Sequence, residues 1–140
     1  MKDAINVKWM GDMAFEASIK DHRILMDARE KAGGHNRGPR PMPMLMASLG
    51  GCTGMDVASI LNKMKVVPDE FNIRVEGEVA EEHPKLYRSL HLVFEFRGEN
   101  LPVEKLTRAV ELSQEKYCAV SLLLQKATPV TWEIRLLTNS

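Results

Sequence analysis

The chain has 140 residues, 44% of them apolar, enough for one domain (1–140) with a sizeable core. Lysine plus arginine equals aspartate plus glutamate at 19 each, so no net charge recruits nucleic acid or an anionic membrane surface. The opening stretch MKDAINVKWMGD lacks the apolar core of a secretory leader, so the expectation is a cytoplasmic protein whose cysteines, Cys52 and Cys118, are thiols rather than a permanent disulfide.

Ile5, Val7 and Trp9 alternate with Asn6 and Lys8, the pattern of a strand with one wet face. Turns at Gly11-Asp12 and Asp21-His22 flank a second alternating run, Phe15 to Ile19, and Ile24 to Met26 reads as a third short strand. An antiparallel meander is expected. Asp27 to Pro39 is a polar, glycine-rich loop that delivers Arg29, Arg37 and then Arg40 to the start of the next segment.

That segment, Arg40 to Val66, is the longest apolar run. Pro41 and Pro43 suit the first turn of a helix. From Met44 onward apolar residues fall on nearly every face, which predicts a helix buried all round. Asp56, Asn62, Lys63 and Lys65 interrupt it too often for a membrane span. Gly50, Gly51 and Gly54 each cost such a helix about 1 kcal/mol relative to alanine. Either a neighbour packs closely there, or the glycines leave room for a ligand at the Cys52 sulfur.

Val67-Pro68-Asp69 ends the helix. Phe71, Ile73 and Val75 alternate with polar residues, as do Leu90, Leu92, Phe94 and Phe96 beyond a turn at 81–84, which predicts a hairpin. Pro102 opens a second helix with Val103, Leu106, Val110 and Ser113 near one face. Ser121 to Ala127 is a further short helix, and Val130 to Leu136 alternates as a last strand. The order β-β-β-α-β-β-α-α-β is α+β, with antiparallel sheets around a long buried central helix. Gly50 to Gly54 lies inside a helix with its amides already used, so no nucleotide loop and no cofactor are expected.

Cys52 and Cys118 are too far apart for a zinc motif, and His22, His35, His83 and His91 form no close pair, so no metal centre is expected. By residue type alone, a cysteine in an apolar helix is a small core residue. Cys118 stands near a helix start, where the dipole favours a thiolate. Cys52, well inside its helix, needs a nearby cation, and the arginine-bearing loop is the available source. Asp56, one turn later, works against a thiolate unless it is itself paired.

With both sulfurs in view, GPRPMPMLMASLGGCTGMDVASIL around Cys52 and LSQEKYCAVSLLL around Cys118 resemble the OsmC/Ohr family of thiol-dependent hydroperoxide reductases. The element order extends the likeness over nearly the whole chain. The resemblance implies an OsmC-like fold and an intertwined homodimer whose active sites draw on both subunits. It implies a peroxidatic Cys52, a resolving Cys118, an organic hydroperoxide as substrate and an external dithiol as reductant. A sulfenic acid formed on one sulfur condenses with the other thiol to a disulfide, which the dithiol reopens by exchange. Family members carry a glutamate ahead of the first cysteine that holds an arginine over the sulfur; Met42 and Pro43 occupy those positions here. Glu115 is the candidate replacement, and Arg37 the first choice of arginine, before Arg29 and Arg40. Two other readings are open. The dimer cleft could hold an apolar small molecule, or the protein could be a redox sensor or structural dimer with incidental thiols.

Overall fold

The computed structural model describes residues 1–138, which form two compact units, Met1–Leu45 and the chain from Met46 onward. In the first, β1 (Asn6–Trp9), β2 (Phe15–Ile19) and β3 (His22–Met26) make the expected antiparallel meander in the order β1-β2-β3. Val7 pairs with Ala17, and Phe15 with Met26. Asp12 and Lys20 take the left-handed conformation at the two turns, with φ of 51° and 54°.

The loop after β3 is folded around one carboxylate. The Asp27 side chain is fully buried and accepts hydrogen bonds from the backbone N–H groups of Ala28 (2.7 Å), His35 (3.1 Å) and Arg37 (3.2 Å). The Arg37 Nε–H adds a fourth at 3.0 Å. Gly34 is required here, because a Cβ would run into the Ala28 carbonyl. Burial alone would raise the Asp27 pKa. The Arg37 guanidinium and the three amides outweigh it and hold the carboxyl well below the ordinary 3.8. A folded-state pKa below the unfolded value contributes stability that is complete above about pH 3.8 and drains away as pH falls further. Hydrogen exchange at the His35 and Arg37 amides, corrected for intrinsic rates, is therefore expected to lose protection below that pH. Asp27→Asn should flatten this dependence; an unchanged slope would refute the role given to the carboxylate.

The second unit contains most of α1 (Pro41–Lys63), the sheet strands β4 (Glu70–Val79), β5 (Tyr87–Arg97) and β6 (Val130–Leu137), and the helices α2 (Val103–Leu112) and α3 (Ala119–Gln125). A five-residue π turn, Ser113–Tyr117, separates the two helices. The sheet order is β4-β5-β6. β4 and β5 form the expected antiparallel pair, but β6 lies parallel to β5, from Leu90 opposite Val130 to Arg97 opposite Leu137. This departs from the wholly antiparallel sheets expected. The physical reason is the connection: α2 and α3 make a crossover long enough to return the chain to the same end of the sheet.

β5 is the middle of the core. Its Leu90, Leu92, Phe94 and Phe96 are buried with Leu49, Val57 and Leu61 of α1 and Leu106, Ala109 and Val110 of α2. Along α1 the buried residues are Leu49, Thr53, Val57 and Leu61, one per turn, while Met55 is 76% exposed. Within one chain α1 is thus buried along a stripe, not all round as expected, because one three-stranded sheet with two short helices covers only one side of it. By length and composition α1 could cross a membrane; its stripe packs on this sheet instead. A Cβ on Gly50 would sit 3.2 Å from Val75 Cγ2, and one on Gly54 3.3 Å from Ile73 Cδ1. Those two glycines let α1 lie close on β4, whereas Gly51 faces open space. Burial of the three aliphatic side chains of the stripe contributes roughly 1.5–3 kcal/mol each, more than the roughly 1 kcal/mol lost at each glycine.

Candidate active site

Two elements build the site. α1 presents Cys52 and Asp56, one turn apart and therefore on one face. Cys118 follows the π turn in an extended conformation (φ −76°, ψ 100°) and caps α3, with its sulfur accepting the Ser121 N–H at 3.4 Å. Its own N–H donates to the Ser113 carbonyl at 2.8 Å. The sulfurs of Cys52 and Cys118 and a carboxylate oxygen of Asp56 all lie within 4.8 Å of one another. Both cysteines are free thiols; Cys52 is half-buried and Cys118 fully buried. The Ser113 hydroxyl donates to Asp56 Oδ2 at 3.4 Å.

A polar chain runs into the buried sulfur. Gln125 Nε2 donates to Ser121 Oγ at 2.9 Å, and Ser121 Oγ donates to Gln114 Oε1 at 2.7 Å. Gln114 Nε2 donates to Thr53 Oγ1 at 3.0 Å, and Thr53 Oγ1 lies 3.3 Å from Cys118 Sγ. Either the Thr53 hydroxyl or the Cys118 thiol can donate in that last contact. Gln125 also donates to the Gln114 carbonyl at 3.1 Å, so the orientation of each amide is fixed. Satisfied throughout, such a chain locks a buried site in one arrangement; cut once, it leaves a costly orphan.

Burial pushes the Cys118 thiol above its ordinary value; the Thr53 hydroxyl and the Ser121 N–H pull it back, and the neighbouring Cys52 sulfur pushes it up again. Desolvation thus works against the thiolate that a helix start was expected to favour at Cys118.

The sequence-derived site residues divide. Cys52 and Cys118 come together. Glu115 is on the exposed side of the π turn, outside the cluster at the sulfurs, and has no hydrogen bond or ion pair among the described residues. Arg37 is committed through Nε to Asp27 within the N-terminal unit. Arg29 and Arg40 border an apolar cavity in that unit, beside Met13, Phe15 and Met26. The sequence reading missed Thr53, Gln114, Ser121 and Gln125. Ser121 alone carried a signal, as a polar residue within the apolar run Ala119 to Leu124; Gln114 lies in the polar stretch Ser113 to Tyr117 and is marked only by its burial.

The OsmC-like protein family matches residues 34–133 of the chain. The chain belongs to this family. Among curated relatives, this OsmC-like protein is similar to protein YhfA of Escherichia coli strain K12, 37% identical over 126 residues, covering 89% of this chain and 91% of YhfA. Its fold is similar to that of an OsmC-like protein from Mycoplasma pneumoniae, with a TM-score of 0.83 and 17% identity over 99% of both chains. It is also similar to the organic hydroperoxide resistance protein OhrB of Bacillus subtilis, with a TM-score of 0.64 and 19% identity over 95% of this chain and 98% of that one. At those identities the two structures speak for a common fold alone.

Proposed function

We propose that this OsmC-like protein is a thiol-dependent reductase of organic hydroperoxides, acting in the cytoplasm. One observation carries the reading: a half-buried sulfur, Cys52, and a fully buried one, Cys118, whose Sγ atoms lie within 4.8 Å. Cys52 is the sulfur an oxidant reaches, and Cys118 is held ready behind it. The Cys52 thiolate attacks the distal peroxide oxygen, the O–O bond breaks, and the alkoxide takes a proton and leaves as alcohol. Cys118 then attacks the sulfenic sulfur and expels the hydroxyl as water, closing the disulfide. An external dithiol reopens it by exchange and leaves as its own disulfide. The resemblance carried by the segments around the two cysteines implies an organic peroxide as the oxidant.

Peptide mass spectrometry tests this. One equivalent of an organic hydroperoxide should link Cys52 to Cys118 within one chain, and dithiol should restore both thiols. Two free thiols after treatment would remove the reductase reading.

The assembly is proposed with it. Met42, Leu45 and Met55 on α1 are exposed at 39%, 43% and 76%, and a second copy of the chain is their expected cover. Light scattering should give about twice the chain mass of 15.8 kDa at micromolar concentration. A mass equal to a single chain would count against the dimer.

A further inference from the structure

We infer that Cys52, Asp56 and Cys118 form a binding site for a thiophilic divalent cation of the zinc class. Two sulfurs and a carboxylate oxygen already stand within 4.8 Å of one another. Around tetrahedral zinc, with Zn–S about 2.3 Å and Zn–O about 2.0–2.2 Å, ligand atoms sit roughly 3.5–3.8 Å apart, so the cluster need contract by only about 1 Å. Two ligands are fixed by one turn of α1, the spacing at which helices commonly present metal ligands. The third is held by the backbone of the π turn and the start of α3. No metal motif is visible in the linear sequence, because Cys118 reaches the other two only through the fold.

The surroundings are those of ligands rather than of incidental core thiols. Asp56 is oriented by the Ser113 hydroxyl, and Cys118 Sγ faces the Thr53 hydroxyl and accepts from the Ser121 N–H. Outer hydrogen bonds of this kind orient and tune metal ligands. Electrostatics points the same way. All three groups are anions when they coordinate, and among the described residues no ion pair reaches any of them. A dication neutralises most of the charge they would otherwise crowd together. Two thiolates select zinc-class ions over magnesium or calcium. With three protein ligands and Cys52 half-buried, the fourth position is open to water.

The consequence for the reductase rests on the function proposed above. Two thiolates, one hydroperoxide and two protons give one disulfide, one alcohol and one water; the disulfide no longer ligates, so oxidation releases the cation. Metal occupancy and peroxide turnover are then mutually exclusive states of one sulfur pair.

The test uses reduced, tag-free full-length protein, titrated with cobalt(II) and then zinc(II). One equivalent of cobalt per chain should bind with thiolate-to-cobalt charge-transfer absorption, and zinc should displace it. Cys52→Ser should abolish the charge-transfer bands of the two-thiolate site. Asp56→Asn, which keeps both thiols, should weaken binding by at least about tenfold. The exposed control Glu115→Gln should bind as wild type. Absence of charge-transfer bands, or wild-type affinity in Asp56→Asn, overturns the site. Because the titration contains no oxidant, its outcome is separate from that of the hydroperoxide experiment. A protein that binds cobalt but forms no disulfide would keep the metal site and lose the reductase.

Discussion

Cys52→Ser is expected to reduce hydroperoxide consumption to the uncatalysed background, a loss of at least about a thousandfold. A serine hydroxyl at neutral pH is a far poorer nucleophile toward an O–O bond than a thiolate. Cys118→Ser should behave differently. The first attack survives, so one equivalent of alcohol appears per chain. The cycle then stops, because no neighbouring thiol can condense with the sulfenic acid on Cys52; excess peroxide oxidises it further to sulfinic acid, with release of a second equivalent of alcohol. Single-turnover alcohol release and the mass of the Cys52 peptide distinguish the two variants. If Cys118→Ser turns over with dithiol at the wild-type rate, Cys118 is not the resolving thiol.

Phe94→Ala should cost about 3–5 kcal/mol and lower the melting temperature by about 10 °C at fixed protein concentration. The ring is fully buried in β5, edge-on to Trp132 at 6.3 Å and stacked with Phe71 at 6.5 Å. The same core cluster holds residues of α1 and α2, so the cavity weakens the seat of the Cys52-bearing helix and of the helix that leads to Cys118. Denaturant midpoints should fall with an unchanged slope. A loss below about 1 kcal/mol would mean that the neighbours collapse into the space, contrary to the rigid packing of this sheet. Phe71→Ala, at a half-buried position on β4, should cost less.

Whereas β1, read as having one wet face from Val7 and Trp9, is exposed on both faces, strand alternation such as Leu90-Leu92-Phe94-Phe96 was legible because a half-buried strand has no other way to write itself in sequence. The direction of β6 was not, since Val130 to Leu136 alternates identically whether the pairing is parallel or antiparallel. Nor was the one-sided burial of α1. An apolar helix reads the same whether its cover comes from its own chain or from another. The two cysteines came together through a family resemblance; spacing alone kept them apart. The polar partners of Cys118 escaped because they meet only after the π turn shifts the register between α2 and α3. Asp27 escaped for the opposite reason. It is one acidic residue in a polar loop, and only its burial marks it as the group that loop folds around.

The parallel pairing of β5 with β6 also sets an order of assembly. A ribosome delivers β5 well before β6, and until Val130 and its successors arrive, β5 can pair on one edge only, with β4. The intervening crossover carries Cys118, so the thiol that faces Cys52 is delivered after β5 and before β6. Long-range parallel pairing is slow, because chain entropy is lost before contacts repay it. Until that crossover has been made, Cys52 is an unaccompanied thiol. An intramolecular Cys52–Cys118 crosslink in a cell would then mark chains whose crossover is already in place.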